Sequence, residues 1–122
     1  MSEANEMSDV KTMKALHLVD FCAEGIVADS ILFGDVAVPT TSPVNKQVLI
    51  EVKASAINVD DIAVCQNTAM GGWIVHPRTP TVAKPLVGGC EYAGVVLAVG
   101  PDVKRLKVGD RVCGVQNPTS KT

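Results

Sequence analysis

The sequence predicts a mainly β fold with one or two short helices, arranged as a small, partly open barrel or sandwich. Short apolar stretches rich in Val, Ile and Leu recur along the chain, and turn-forming Gly, Pro, Asn and Asp residues separate them. Helical spacing of apolar residues occurs in a single segment. With 122 residues and 47% hydrophobic content, the chain suffices for one domain with its own core.

The first two strands are predicted on either side of a connector. The first covers MKALHLVDF (13–21), which alternates loosely between apolar and polar residues, and the second covers ILFGDVAVP (31–39). The residues AEGIVADS (23–30) are expected to form the connector. A loop is predicted over 39–47, where two prolines and several turn formers occur.

The third strand shows the clearest alternation in the chain. It is predicted over QVLIEVKASAIN (47–58), with Glu51 and Lys53 on one face. The opposite face is expected to be apolar and to carry Val48, Ile50, Val52 and Ala54. Such alternation is typical of a strand with one face on the core.

A short helix is predicted next, over NVDDIAVCQN (58–67), because apolar residues recur there at helical spacing. Asn58 or Asp60 is expected to cap its first turn. This position alone explains the acidic pair Asp60 and Asp61, because the N-terminus of a helix favours negative charge.

The second half of the chain begins with a long irregular segment, TAMGGWIVHPRTPTVAKP (68–85), which is expected to be functional or mobile. A strand buried on both faces is predicted over YAGVVLAVG (92–100). A polar bend (101–107) and a Gly-Asp turn then lead to a last strand within VGDRVCGV (108–115).

Charge and hydropathy exclude two classes of partner. The net charge is −2 and the basic residues are dispersed, so neither nucleic acid nor a membrane surface is an expected partner. No apolar stretch is long enough to cross a bilayer. Residues 1–12 are polar and acidic, which predicts a disordered tail without a secretion signal, and the default location is cytoplasmic.

The cysteines do not have the spacing of a metal or disulfide framework. Cys22, Cys65, Cys90 and Cys113 are far apart in sequence and are expected to be small buried hydrophobic residues. The conceivable zinc ligands are Cys65, His76, Cys90 and Glu91. Because Cys90 and Glu91 are adjacent, a strand would point them to opposite faces, and no metal site is predicted.

The glycines around this Cys-Glu pair do not form a phosphate-binding loop. Such a loop runs from a strand through a Gly-rich turn into a helix, whereas Gly88 and Gly89 precede a strand and Gly94 lies within it. These glycines are expected to permit tight turns and close backbone approach.

The order of the motifs resembles the N-terminal, GroES-like domain of the medium-chain dehydrogenase/reductase superfamily. The likeness rests on MKALHLVDF, on VLIEVKASAINVDDI with its Asn-x-x-Asp pattern, and on PLVGGCEYAGVVLAVGPDVKRLKVGDRVCG. It is greatest to the zinc-free quinone oxidoreductase (zeta-crystallin) and enoyl reductase branch. The resemblance implies a GroES-like, partly open and here incomplete β-barrel over 13–116, followed by a truncated tail over 117–122.

The same resemblance bears on the Cys-Glu pair. In the zinc-dependent alcohol dehydrogenases of the superfamily, a Cys ligand stands at the position of Asn58 and a His ligand at that of Cys90. The substitutions here are those of a metal-free branch, because an amide is a poor zinc ligand. Glu91 is then expected to be a structural, hydrogen-bonded carboxylate.

The implied activity is hydride transfer from NADPH to a quinone or an activated alkene. Asn58 and Asp61 are the predicted catalytic residues. Asn58 is expected to lie near the nicotinamide, to contact the cofactor and to donate a hydrogen bond to the substrate oxygen, and Asp61 to orient the helix. Ala63 stands where quinone oxidoreductases often carry a Tyr, and Tyr92 is no evident substitute for that hydroxyl donor. The segment around Trp73 is a candidate to line the cleft.

The family's Rossmann domain, which binds the cofactor, would follow this chain. The chain alone is therefore expected neither to bind NADPH tightly nor to turn over, and whether it is an enzyme in its own right stays open. A homodimer is the expected assembly from the family. The alternative is a non-enzymatic GroES-like interaction module or relic. Substrate identity, and NADPH over NADH, are beyond the sequence.

Overall fold

The computed structural model describes residues 11–22, 27–39, 42–67 and 79–116. These residues form two three-stranded antiparallel sheets that do not close into a barrel, which confirms the predicted mainly β, partly open and incomplete fold. In chain order the elements are β1 (Thr12–Leu18), α1 (Val27–Ser30), β2 (Leu32–Ala37), β3 (Val48–Ala54), α2 (Val59–Gln66), β4 (Leu86–Val87), β5 (Glu91–Val99) and β6 (Arg111–Val115).

The first sheet has the order β2-β1-β4. Its β1–β2 pairing runs from Thr12 opposite Ala37 to His17 opposite Leu32, and Lys14 binds Asp35 across the two strands at 2.7 Å. The sequence prediction missed β4, which is two residues long. It also missed α1, a single turn that lies inside the predicted connector.

The second sheet has the order β3-β5-β6 and contains the fully buried Val96. Of the four apolar residues predicted on one face of β3, Val48 and Ile50 are half-buried, whereas Val52 is 55% exposed and Ala54 is exposed as well. The register against β5 shifts between Leu49 and Ile50 and again between Val52 and Ala54. Each such bulge interrupts the alternation of side chains between the two faces.

The turn into β6 depends on Gly109, whose φ is 91°. A Cβ at this position would meet no atom within 4 Å, so substitution causes backbone strain without a clash. We expect Gly109→Ala to lower the free energy of unfolding by roughly 1–2 kcal/mol, and Gly109→Asn to lower it by less, because Asn tolerates the left-handed region. Urea denaturation of the two variants tests this, and equal losses would contradict it.

Several sequence predictions fall outside the described residues. These are most of the polar tail (1–12), the segment 68–78 with Trp73 and His76, and the last residues, 117–122. Within the described part of the chain, no helix is long and apolar enough to cross a membrane.

The expectation that all four cysteines are buried is correct for Cys22, Cys65 and Cys90 and wrong for Cys113. Cys113 lies in β6, where exposed and half-buried residues alternate along an edge strand of the sheet. Its side chain therefore faces solvent instead of the core.

Candidate functional site

The site is built on the start of α2, which Asn58 caps. Asn58 has extended backbone angles (φ −134°, ψ −177°), and its Oδ1 accepts a hydrogen bond from the Asp60 N–H at 2.8 Å. In return, the Asn58 N–H donates to Asp61 Oδ2 at 2.8 Å. The two side chains form a capping box, which satisfies N–H groups that a helix start leaves without intrahelical partners.

Glu91 joins this helix start to the second sheet. Asn58 Nδ2 donates to Glu91 Oε1 at 2.6 Å, and the Ser55 hydroxyl donates to the Glu91 carbonyl oxygen at 2.6 Å. Glu91 is the first residue of β5, so both bonds connect the β3–α2 segment to the start of that strand. Its carboxylate is hydrogen-bonded, as the resemblance implied.

Cys90 completes the arrangement from the other side of the cap. Its side chain is buried, and its S–H faces Asp61 Oδ1 at 3.5 Å with Asn58 Oδ1 at 3.8 Å. The strand alternation used in the sequence argument does not apply to Cys90, because this residue lies in a bend just before β5, and Cys90 and Glu91 both reach the helix start. We call Asn58, Asp61, Cys90 and Glu91 the cap cluster.

Burial sets the protonation state of the thiols near the cap cluster. Burial raises the pKa of the Cys90 thiol, and the adjacent Asp61 carboxylate raises it further by disfavouring a second negative charge. Burial and Asp61 raise the pKa of the Cys65 thiol in the same way. Both thiols are therefore neutral near pH 7, and Cys90 acts as a hydrogen-bond donor to Asp61.

The raised pKa of the Cys90 thiol predicts that the folded protein loses stability at alkaline pH. A thiol whose pKa is higher in the folded than in the unfolded state contributes stability that is present below its unfolded pKa, about 8.5, and lost as the pH rises through the folded value. We expect stability to fall more steeply above about pH 9 in the natural protein than in Cys90→Ala. Urea midpoints between pH 7 and 10.5 provide the measurement, and parallel curves would contradict it.

The cap cluster is a poor set of zinc ligands. It offers a neutral amide, a protonated thiol and carboxylates that already accept hydrogen bonds, whereas zinc prefers thiolate and imidazole. Among residues 11–22, 27–39, 42–67 and 79–116, no group of three or more His, Cys, Asp and Glu side chains is placed to hold a metal ion.

The described residues also do not fit the phosphates of a dinucleotide. The first turn of α2 carries Asp60 and Asp61, whose charges repel an anion from the helix N-terminus. Gly88 and Gly89 lead into β5 and not into a helix. What the cap cluster offers is the Asn58 amide: Nδ2 carries two hydrogens, and Glu91 takes one of them.

The sequence also singled out Ala63 and Tyr92, and neither side chain offers a hydrogen-bond donor beside the Asn58 amide. Ala63, at the position of the family's Tyr, is buried in α2. Tyr92 pairs with Gly114 of β6, and a Cβ on Gly114 would lie 2.9 Å from the Tyr92 hydroxyl oxygen. The hydroxyl end of the Tyr92 ring therefore lies over Gly114 of β6.

Known proteins share both the sequence pattern and the fold. The family described as "Alcohol dehydrogenase GroES-like domain" matches residues 44–121. A trans-enoyl reductase of Pyricularia oryzae is 38% identical over 76 residues, and an alcohol dehydrogenase of Schizosaccharomyces pombe is 42% identical over 76 residues; each match covers 62% of this chain. The Escherichia coli quinone oxidoreductase, solved in complex with NADPH, superposes on 85% of this chain with a TM-score of 0.59 and 26% identity.

These relatives are much longer than the chain. The matched segments cover 18% of the trans-enoyl reductase, 19% of the alcohol dehydrogenase and 27% of the quinone oxidoreductase. The comparison therefore concerns one part of each relative.

Proposed function

Because the chain belongs to the alcohol dehydrogenase GroES-like domain family of the medium-chain dehydrogenase/reductase superfamily, we propose that it is the N-terminal, substrate-side domain of an oxidoreductase. The complete enzyme uses NADPH and reduces a quinone or an activated alkene by hydride transfer, without zinc. The observation that carries this proposal is the double likeness to a trans-enoyl reductase and to a quinone oxidoreductase solved with NADPH.

The proposed role of Asn58 follows from how its amide is held. Asp60 N–H and the Cys90 thiol face Oδ1, and Glu91 binds one Nδ2 hydrogen, so the orientation of the amide is determined from two sides. The second Nδ2 hydrogen is then a preorganised donor for a substrate oxygen. Such a donor stabilises the negative charge that develops on a carbonyl or quinone oxygen as its conjugated system is reduced.

The proposed role of Asp61 is positioning and not proton transfer. Its Oδ2 accepts from the Asn58 N–H and its Oδ1 from the Cys90 thiol, so both carboxylate oxygens are engaged in holding the cap. NADPH, when bound, supplies the hydride, and the phosphate-binding residues are proposed to lie in a domain beyond this chain.

Zinc independence is supported by the donor set of the cap cluster. A protonated Cys90 and a neutral Asn58 amide, both hydrogen-bonded to protein groups, would have to break these bonds before they could bind a metal.

We also propose, from the family, that the full-length protein forms a homodimer and is located in the cytoplasm. Light scattering of the full-length protein tests the dimer.

The test uses the full-length natural protein that carries these residues. We expect NADPH oxidation that depends on an added quinone or α,β-unsaturated carbonyl compound, with unchanged rates after chelation and far less than one zinc per chain by elemental analysis. Stoichiometric zinc with loss of activity on chelation would overturn zinc independence. A folded protein that binds NADPH and reduces neither substrate class would overturn the proposed activity.

The isolated 122-residue chain is the matched control. It is expected to show no turnover and no saturable NADPH binding, because its described residues repel phosphate at the only helix that begins with a capping box. Affinity in the micromolar range, about −8 kcal/mol, measured by nucleotide fluorescence would contradict the assignment of cofactor binding to another domain.

A further inference from the structure

We propose that Cys22 and Cys65 are an oxidisable thiol pair, which a peroxide converts into a reversible disulfide that ties α2 to the segment following β1. The inference rests on their juxtaposition. The Cys22 N–H donates to the Cys65 carbonyl oxygen at 2.8 Å, although the two residues are far apart in the sequence. Cys65 is the next-to-last residue of α2, and Cys22 follows β1 in the chain.

The backbone hydrogen bond brings the two residues within disulfide range. The N–Cα bond on one side of the 2.8 Å contact and the bent O=C–Cα group on the other limit the Cα–Cα distance to about 6.7 Å. Native disulfides join Cα atoms that are about 4.4 to 6.8 Å apart. The Cα–Cα distance of Cys22 and Cys65 therefore permits a bridge without moving α2 away from the segment that follows β1.

The other two cysteines are engaged or placed elsewhere, which leaves Cys22 and Cys65 as the pair. Both are buried, with exposures of 8% for Cys22 and 7% for Cys65, and burial, the Asp61 carboxylate and Cys22, in that order, raise the pKa of the Cys65 thiol, so its oxidation is slow near neutral pH. Cys90 is engaged instead by the Asp61 carboxylate. Cys113 is exposed on β6, where it pairs with Ala93.

The oxidation balances with one peroxide per disulfide. One thiolate sulfur attacks a peroxide oxygen, the O–O bond breaks, and the second oxygen leaves as water after protonation, giving a sulfenic acid. The other thiol sulfur attacks the sulfenic sulfur, the S–O bond breaks, and the hydroxyl leaves as a second water. Two thiols lose two electrons and two protons in total, and hydrogen peroxide becomes two waters. Since thiolates are the nucleophiles, the rate rises with pH.

The sequence allows this disulfide to be located without ambiguity. Trypsin cleavage after Lys and Arg, except before Pro, separates the four cysteines into peptides 15–46, 54–78, 79–104 and 112–121. The full-length protein is treated with hydrogen peroxide, unfolded in the presence of an alkylating reagent, and digested without reduction. We expect mass spectrometry to find 15–46 joined to 54–78, with loss of both alkylated cysteines, and dithiothreitol to restore them.

Three controls make the outcome decisive. Cys113→Ser is expected to leave the cross-link unchanged, and Cys65→Ala to abolish it. If the latter variant does not fold, a mixture of ¹⁵N-labelled and unlabelled protein still separates a bridge within one molecule from one between molecules. The proposal is overturned if peptides 15–46 and 54–78 stay alkylated after Cys113 has been oxidised. It is overturned equally if a ¹⁵N-labelled peptide is found joined to an unlabelled one, because the bridge then links two molecules.

Discussion

Substitution of Gly94 by alanine is expected to reduce the stability of the β3–β5 pairing by about 3 kcal/mol. A Cβ at Gly94 would lie 2.2 Å from the Glu51 carbonyl oxygen and 2.8 Å from Ile50 Cγ2. The first of these atoms belongs to the backbone, so no change of rotamer relieves the contact. The two strands would have to move apart along the centre of the second sheet.

Gly88→Ala is the matched control, because it adds the same methyl group where space exists. The nearest atom to its Cβ would be the Leu16 carbonyl oxygen at 3.6 Å, an ordinary contact. We expect a change within about 0.5 kcal/mol. Hydrogen exchange of β3 and β5 amides in the full-length protein measures the local opening free energy in both variants. Equal protection in Gly94→Ala and Gly88→Ala would show that the close approach is not as the structure describes it.

The sequence predicts that glycines in the segment 88–94 permit close backbone approach, but it does not predict which of them does so. The sequence indicated close backbone approach instead of phosphate binding, since no helix follows the Gly-rich stretch. Which glycine lies under a carbonyl depends on strand register. Gly94 lies opposite Val52, beside a register shift between Val52 and Ala54 that period-two reasoning cannot detect.

The sequence predicts those strands that contain enough apolar residues to stand out from the polar turns around them. An apolar stretch bounded by turn formers contains each of the five longer strands, β1, β2, β3, β5 and β6. β4 has only two residues, and its pairing of Val87 with His17 depends on a strand far away in sequence. The end of β3 was placed too late because, at Ser55, a side-chain bond to Glu91 replaces the strand ladder.

The site was half visible in the sequence for a similar reason. An Asn followed three residues later by Asp is a local capping pattern, and the structure has that cap at Asn58 and Asp61. The partners of the cap are not local, since Cys90 and Glu91 follow Asn58 by 32 and 33 residues. Only the antiparallel pairing of β3 with β5 brings them to the helix start.

Asn58→Asp is expected to lower kcat for the proposed NADPH-dependent reduction by the full-length protein by about 10²- to 10³-fold while the helix start is kept. Aspartate caps helices as well as asparagine does, so the bond from the Asp60 N–H is preserved. The Nδ2 donor is lost, however, and a carboxylate replaces it 2.6 Å from Glu91 Oε1. The two like charges should destabilise the variant by about 1–3 kcal/mol at pH 7.

The pH dependence of this variant has a definite sign. A proton shared between Asp at position 58 and Glu91 raises the pKa of the pair in the folded state above the unfolded value of about 4. The stability of the variant should therefore be close to that of the natural protein below pH 4 and fall as the pH rises through the folded pKa. Urea midpoints from pH 3.5 to 8 measure it, with Glu91→Gln as the variant that lacks the second charge.

The double variant Asn58→Asp/Glu91→Gln separates the structural role of Asn58 from its proposed catalytic one. It restores a hydrogen bond between the two positions with donor and acceptor exchanged, because the Gln amide now donates to the Asp carboxylate. Stability at pH 7 should return to within about 1 kcal/mol of the natural protein. The second amide hydrogen, which is proposed to serve the substrate oxygen, is still absent, so kcat should stay low. Recovery of kcat together with stability would mean that Asn58 only holds the start of α2, and that the charge on the substrate oxygen is stabilised by another group.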